Sequence, residues 1–171
     1  MTFRAPFAIV VASTICLAAP TRLGAQAGHA GRAAPTTSSP EAQQVVVAIT
    51  ALFAAAERND MVALDSLYAG DSLTIIEGAG INRGWTDYRD HHLAPEMKEM
   101  KNFQYRPLEI EARVDGKTAW ALFRYTLKAD VNGKPVDIVG RGTAILERRG
   151  SRWVVRHTQT SGRARRASDP A

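Results

Sequence analysis

The feature that most constrains this chain is a change in the period of its apolar residues near Phe103. Upstream of that point, apolar side chains recur at the 3.6-residue spacing of helices. Downstream they alternate with polar side chains, as in strands that bury one face. Helices followed by strands within the length of one domain predict the α+β class.

Three turn motifs divide the alternating half into long strands. Asp115-Gly116 and Asn132-Gly133 are tight hairpin pairs, and Arg149-Gly150-Ser151 forms a third turn. They separate expected strands at 103–114, 118–129 and 135–147 and a last strand that contains Trp153. Pro107 interrupts the first strand and predicts a bulge or an edge position. Strands in this succession form an antiparallel meander.

The helical half carries its own start and stop signals. Ser39-Pro40-Glu41 combines a capping residue, a first-turn proline and an acid, and so begins the first helix. Asn59-Asp60 breaks that helix and caps a short second one, and residues 72–78 form a short strand. A third helix, capped by Thr86, is expected to end or kink at Pro95.

The two ends of the chain look different from the domain between them. Residues 1–27 combine a basic start, an apolar run too short for a bilayer and an Ala25-Gln26-Ala27 cleavage site, which predicts a secretory signal peptide. An uncleaved N-terminal anchor is the alternative. We expect a flexible spacer at 28–38, the domain at 39–162 and a basic flexible tail at 163–171. The protein would then be exported, to the periplasm or outside the cell.

Charge and cysteine content exclude several classes of function. The net charge of +5 comes from the flanks, because residues 41–162 hold 16 basic and 16 acidic side chains. A domain with no net positive charge is expected to bind nucleic acid weakly, because the affinity depends on the number of phosphates that basic side chains neutralise. After signal removal we expect no membrane partner. The single cysteine, Cys16, lies inside the predicted signal peptide, so the mature protein would have no disulfide.

Three phrases of the sequence resemble a known superfamily. They are FAAAERNDMVALDSLYAGD at 53–71, RGWTDYRDHH at 83–92 and RGTAILERRGSRWVVRHTQTSG at 141–162. Together they resemble the nuclear transport factor 2-like superfamily, in its SnoaL-like and calmodulin-dependent kinase association-domain branches. The resemblance implies a cystatin-like cone, in which a curved antiparallel sheet wraps around the N-terminal helices and encloses a pocket. It also implies a homodimer formed through the outer face of the sheet. The fold alone does not define an activity.

Ketosteroid isomerase, a member of that superfamily, provides one comparison. Glu77 stands where the resemblance places the catalytic base, but Leu52 replaces the tyrosine that stabilises the oxyanion. Asp137 lies near the position of the second donor without clearly replacing it. A base without an oxyanion hole lacks the larger catalytic contribution. An isomerase, cyclase or hydrolase with Glu77 or His92 as general base is therefore the alternative function.

The kinase association domain provides a second comparison. Its pocket arginine corresponds to Arg124, and its pocket histidine corresponds to Tyr88. Two further pocket arginines are replaced by Ala144 and Thr160. The resemblance thus leaves one arginine that could hold a carboxylate bidentately. The other interpretation of Arg124 is an ion pair inside the cone, for instance with Glu77.

His157 on the last strand is a candidate base or a structural residue. In a regular strand, Trp153, His157 and Gln159 share one face, and Thr158 and Thr160 share the other. Placing Thr158 and Thr160 inside the cone puts His157 on the outer face, where a structural role is expected. A single bulge would exchange the faces.

Other catalytic chemistries find little support in the residues. His91 and His92 diverge on a helix, and Pro95 separates His92 from Glu96, so no metal site and no cofactor are expected.

We therefore predict a module that binds a small, largely apolar ligand with one polar or anionic group. A purely structural dimerisation domain remains a third interpretation. The predicted ligand-binding residues are Trp85, Tyr88, His92, Trp120, Arg124 and Thr160.

Overall fold

A computed structural model describes residues 39–169 of the chain. The predicted signal peptide and spacer lie outside the described residues. The elements in order are α1 Pro40–Glu57, α2 Met61–Leu67, β1 Thr74–Glu77, β2 Gly80–Arg83, α3 Trp85–Tyr88, a π turn Arg89–Leu93, α4 Ala94–Glu99, β3 Met100–Asp115, β4 Thr118–Val131, β5 Lys134–Arg149 and β6 Arg152–Ala164. Within this part of the chain, no helix is both long enough and apolar enough to cross a bilayer.

The predicted helix starts are confirmed at α1 and α2. The Ser39 hydroxyl accepts a hydrogen bond from the Ala42 amide at 3.1 Å, and Pro40 occupies the first turn. The Asp60 carboxylate accepts from the Ala63 amide at 3.0 Å. Both side chains satisfy amide groups that have no partner within the helix.

The six strands form one curved sheet in the order β2-β1-β6-β5-β4-β3. The last four strands are an antiparallel meander, as predicted, and β1 lies parallel to β6, with Thr74 opposite His157. The predicted bulge appears as a register shift between Pro107 and Ile110 of β3. β2 was not predicted, because its four residues are too few to show a period.

The core lies between α1 and the inner face of the sheet. Phe53 of α1 is 2% exposed, and its ring contacts three rings at centroid distances of 4.3 Å for Tyr105, 5.4 Å for Phe123 and 6.3 Å for Tyr125. Aromatic contacts of this kind add to the free energy gained from burial. They hold α1 against β3 and β4.

A bulge in β6 decides which of its side chains face inward. Leu146 pairs with Val155 and Ile145 pairs with His157, so Arg156 is an extra residue with no residue opposite it on β5. An extra residue of this kind moves every side chain beyond it to the opposite face from the one that regular alternation would give. Val155 and Thr158 are consequently both buried, while His157 lies on the outer face, where the sequence had placed it. The bulge, which was the alternative to a regular strand, is present, but it precedes His157 and does not turn that residue inward.

The C-terminal end of the described chain is tied to the sheet. β6 continues to Ala164, two residues beyond the predicted end of the domain. Arg165 pairs with Asp137 of β5 at 2.9 Å, and Arg163 pairs with Asp169 at 2.7 Å. The first residues of the predicted flexible tail are therefore held by strand pairing and ion pairs.

Candidate functional site

A cavity of about 400 Å³ lies between the helices and the inner face of the sheet. Its walls are mostly aromatic and aliphatic, with a few hydroxyl groups and two carboxyl groups. The lining residues are Leu52, Phe53, Ala56, Leu64, Tyr68, Glu77, Gly78, Tyr88, Leu93, Glu96, Met97, Met100, Phe103, Tyr105, Phe123, Tyr125, Leu127, Ile138, Thr158, Thr160, Ser161 and Gly162. Ligand sites in proteins commonly combine such apolar walls with a few polar groups.

The helical segment beside the cavity contains a π turn at Arg89–Leu93. In this turn the Ala94 amide donates to the Arg89 carbonyl, five residues back. The helix then continues through Pro95, which occupies the first turn of α4 and needs no amide donor there. The α-helical hydrogen-bond pattern is thus interrupted directly before Pro95, where the sequence predicted an end or a kink. The prediction that Pro95 separates His92 from Glu96 was wrong, because the two side chains are in contact. The prediction that Thr86 caps the helix was also wrong, because Gly84 precedes the first helical residue.

The π turn brings His92 between two carboxyl groups. Its Nε2 lies 3.0 Å from Glu77 Oε2 at the end of β1 and 3.1 Å from Glu96 Oε1 on α4. Its Nδ1 lies 2.9 Å from Asn82 Oδ1 on β2. The Tyr88 hydroxyl also interacts with Glu77 and favours the ionised form of its carboxyl group. We call Glu77, His92 and Glu96 the acid–base cluster.

Burial controls the protonation of this region. It raises the pKa of Glu77, and the neighbouring Glu96 carboxylate adds to the rise, while His92 and the Tyr88 hydroxyl oppose it. Burial also raises the pKa values of Tyr68, Tyr88, Tyr105 and Tyr125. The tyrosines therefore keep their hydroxyl protons and serve as hydrogen-bond donors, whereas Glu77 holds a proton more tightly than an ordinary carboxyl group.

The acid–base cluster does not form a metal centre. Within residues 39–169, no group of three or more His, Cys, Asp or Glu side chains is arranged to hold an ion. The reason is geometric, since both carboxylates approach the same imidazole nitrogen rather than a common empty point. Both carboxyl groups lie within hydrogen-bond distance of that nitrogen.

The structure brings together only part of the predicted site. Tyr88 and Thr160 line the cavity, and His92 contacts the Glu77 and Glu96 carboxyl groups. Trp85 is buried, and its ring stacks on Tyr68 at a centroid distance of 5.1 Å. Trp85 therefore supports the cavity wall from behind.

The structure places the other two predicted residues, Trp120 and Arg124, outside the cone. Trp120 is 40% exposed, and Arg124 pairs with Glu109 at 3.3 Å on the outer face of the sheet. Arg124 therefore neither faces the cavity as a ligand-binding residue nor pairs with Glu77 inside the cone. The reason is strand alternation, because Phe123 and Tyr125 face inward and their neighbour must face outward. A separate groove of about 460 Å³ runs past Arg124 on that outer face.

Two residues of the site were missed in the sequence. Glu96 was not included in the predicted site, because Pro95 was expected to interrupt the helix between it and His92. Its spacing of four residues from His92 is nevertheless the helical signal for a side-chain pair. Asn82 was missed because β2 was not predicted, and no local pattern singles it out. Its position depends on pairing between β1 and β2, with Ile75 opposite Asn82.

Helices packed against a curved sheet, with a cavity between them, define a cone-shaped α+β fold. The chain belongs to the SnoaL-like domain family, which matches residues 45–164. No curated protein matches the sequence. The resemblance to the nuclear transport factor 2-like superfamily is thereby confirmed, and so is the predicted fold class.

Solved structures of low sequence identity share this fold. A candidate ketosteroid isomerase from Shewanella frigidimarina is 22% identical, with 69% of this chain and 94% of that chain covered and a TM-score of 0.62. A nuclear transport factor 2-like superfamily protein from Salmonella enterica is 18% identical, with 75% and 95% covered and a TM-score of 0.66. A candidate calcium/calmodulin-dependent protein kinase II association domain from Xanthomonas campestris is 21% identical, with 77% and 92% covered and a TM-score of 0.59. At these identities the likeness establishes the fold and not the activity.

Proposed function

We propose that the cone cavity binds a small, uncharged and largely apolar molecule that carries one or two hydrogen-bonding groups. The observation that carries this proposal is the composition of the cavity wall, which contains two carboxyl groups and no Lys or Arg among its lining residues. An anionic ligand would be repelled by Glu77 and Glu96 without a cation to hold it. The volume of about 400 Å³ falls in the range of small-molecule sites.

The wall also supports a defined orientation of the ligand. Glu77 lies opposite Thr160 on the neighbouring strand and interacts with Tyr88, so these three polar groups are close together in the lining, where they can donate to or accept from the ligand. Phe53 and Met97 belong to the apolar remainder. An apolar body with a polar end matches this division, since each buried polar group then finds a partner.

A matched pair of ligands tests the binding proposal. We expect 2-naphthol to raise the melting temperature of the protein and 2-naphthoate to leave it unchanged, because the two differ in charge and little in shape. Met97→Trp should abolish the shift by filling the cavity, whereas Arg124→Ala on the outer face should keep it. The proposal would be overturned if only 2-naphthoate raised the melting temperature and if Arg124→Ala abolished that shift.

The acid–base cluster favours a second candidate function, which is proton transfer on the bound molecule. Glu77 lines the cavity, has a raised pKa and contacts an imidazole 3.0 Å away. These properties suit a general base that removes a proton from carbon next to a carbonyl group and returns it elsewhere. A candidate ketosteroid isomerase shares the fold, which makes this reaction class a reasonable one to test.

The isomerisation of 3-cyclohexenone to its conjugated isomer provides an assay. We expect the protein to accelerate the rise in ultraviolet absorbance, and Glu77→Gln to slow it by about 10²–10⁴-fold, the usual contribution of a general base. Glu111→Gln, which changes an exposed carboxylate on the outer face, is the control. Equal rates in the wild type and Glu77→Gln would eliminate Glu77 as the base.

We also propose that the outer face of the sheet forms a homodimer. Trp120, Leu122 and Ile145 are exposed by 40%, 47% and 44%, and Trp120 pairs directly with Ile145 across two strands. Contiguous exposed apolar residues commonly mark an interface. Light scattering should give twice the monomer mass for the wild type and the monomer mass for Leu122→Arg. Val62→Arg, which changes an exposed residue of α2, should remain dimeric, and a monomeric wild type would refute the proposal.

A further inference from the structure

A chain of hydrogen bonds behind the acid–base cluster runs from Asp87 through Asn82 to His92. Asp87 Oδ2 accepts from Asn82 Nδ2 at 3.1 Å and from the Arg83 amide at 2.9 Å. On its other side, Asn82 Oδ1 lies 2.9 Å from His92 Nδ1. Neither Asn82 nor Asp87 lines the cavity, so neither touches a bound molecule there.

The orientation of the Asn82 amide follows from the chemistry of Asp87. The hydrogen bonds from the Arg83 amide and Asn82 lower the pKa of Asp87, so it is a carboxylate and can only accept. The donor side of the amide must therefore face Asp87. Its carbonyl oxygen must face His92, and this leaves one arrangement of the amide rather than two.

This orientation fixes one of the two ring protons of His92. A carbonyl oxygen 2.9 Å from Nδ1 requires a proton on Nδ1. In a neutral imidazole, Nε2 would then be an acceptor that faces two further acceptors, Glu77 Oε2 and Glu96 Oε1. That contact is repulsive unless a proton lies on Nε2 or on one of the carboxyl groups. The cluster must therefore hold one shared proton on the side that faces the cavity.

We propose that Asn82, anchored by Asp87, is a positioning residue that keeps a proton on Nδ1 of His92 and so directs the shared proton of the cluster toward Glu77 and Glu96. This inference deepens the proposed proton transfer at Glu77 and rests on it for its functional meaning. The charged or titratable groups around the ring are Glu77, Glu96 and Tyr88, whose ring centroid lies 5.2 Å away. Each of them lines the cavity, whereas Asn82 contacts Nδ1 from the other side of the ring.

A purely structural role for Asn82 makes a different prediction. In that case Asn82 would serve only to hold β2 against the start of α3, together with the bond from the Arg83 amide to Asp87. Replacing Asn82 would then lower stability without changing the state of the His92 ring. The tautomer of the ring separates the two roles.

Nitrogen-15 NMR of histidine-labelled protein measures that tautomer directly. His92→Gln identifies the His92 signals by their loss among the four histidines of the sequence. In the wild type we expect Nδ1 to stay protonated across the whole pH range in which the protein is folded. In Asn82→Leu we expect an unprotonated Nδ1 at high pH, because the proton is free to move to Nε2 and bond a carboxylate.

Two further variants complete the experiment. The double swap Asn82→Asp with Asp87→Asn keeps an acceptor opposite Nδ1 and should restore the wild-type tautomer. His91→Gln removes another partner of Asp87, 3.2 Å from Oδ1, and should leave the His92 signals unchanged. An unprotonated Nδ1 in the wild type, or a protonated one in Asn82→Leu, would overturn the proposal. A correct tautomer in a protein that never transfers a proton would instead refute the proposed reaction alone.

Discussion

Gly140→Ala tests how tightly the cavity wall is packed. Gly140 of β5 lies opposite Tyr125 of β4, and both face the inside of the cone. A Cβ atom at position 140 would lie 2.1 Å from Cζ and 2.4 Å from the hydroxyl oxygen of Tyr125. Ordinary van der Waals contact begins at 3.4 Å, so the tyrosine ring would have to retreat by more than about 1 Å.

The ring has little room to retreat. Tyr125 is 7% exposed and its ring lies 5.3 Å from Tyr105 and 6.3 Å from Phe53, centroid to centroid. Overpacking of this kind costs about 1–3 kcal/mol of unfolding free energy. For a domain of this length, that corresponds to roughly 4 °C of melting temperature for each kcal/mol. The displaced ring would also narrow the ligand cavity.

Urea denaturation and thermal melting measure the loss. Thr143→Ala, on the outer face of the same strand, is the matched control and should change stability little. In a Tyr125→Ala background the cost of Gly140→Ala should largely disappear, because the obstructing ring is gone. A Gly140→Ala protein as stable as the wild type would show that the ring does not lie over the glycine.

Three other perturbations have expected outcomes. Ser39→Ala should lower the unfolding free energy by about 1 kcal/mol in urea titrations, because the Ala42 amide loses its cap; an unchanged midpoint would contradict the capping role. The raised pKa of Glu77 means that the folded protein binds more protons than the unfolded chain just above the ordinary carboxyl range. Stability should therefore fall as the pH rises through that range, and Glu77→Gln should flatten the fall in urea titrations between about pH 4 and pH 7; an unaltered slope would contradict it. N-terminal sequencing of the protein from the periplasm or culture medium should begin at Gly28, and a start at Met1 would refute export by cleavage.

Local chemistry allowed much of the fold to be predicted from the sequence. Ser39 and Asp60 cap helices through bonds to residues three positions away, and Asn132-Gly133 adopts positive φ values of 51° and 75° in its turn. Such signals depend on neighbours in the chain. They therefore hold without knowledge of the tertiary structure.

The candidate site was less predictable because its contacts are not local. Arg124 was assigned inward by resemblance, although the alternation of Phe123 and Tyr125 already placed it outward. Glu96 joins the site only through a π turn, which no propensity predicts. Asn82 reaches His92 because a short edge strand pairs with β1, which the sequence of β2 does not reveal.

The parallel pairing of β1 with β6 constrains the order in which the parts of the domain can come together. Thr74 of β1 pairs with His157, and these residues are separated by roughly eighty positions of intervening chain, a costly closure for folding. Glu77, at the end of β1, pairs with Thr160 and cannot take its place until the last strand has been synthesised. Without β6, the pair β1–β2 would have no connection to the meander, and the carboxyl group of Glu77 would lie in water. Docking of β6 beside β1 is therefore the step that completes the cavity wall.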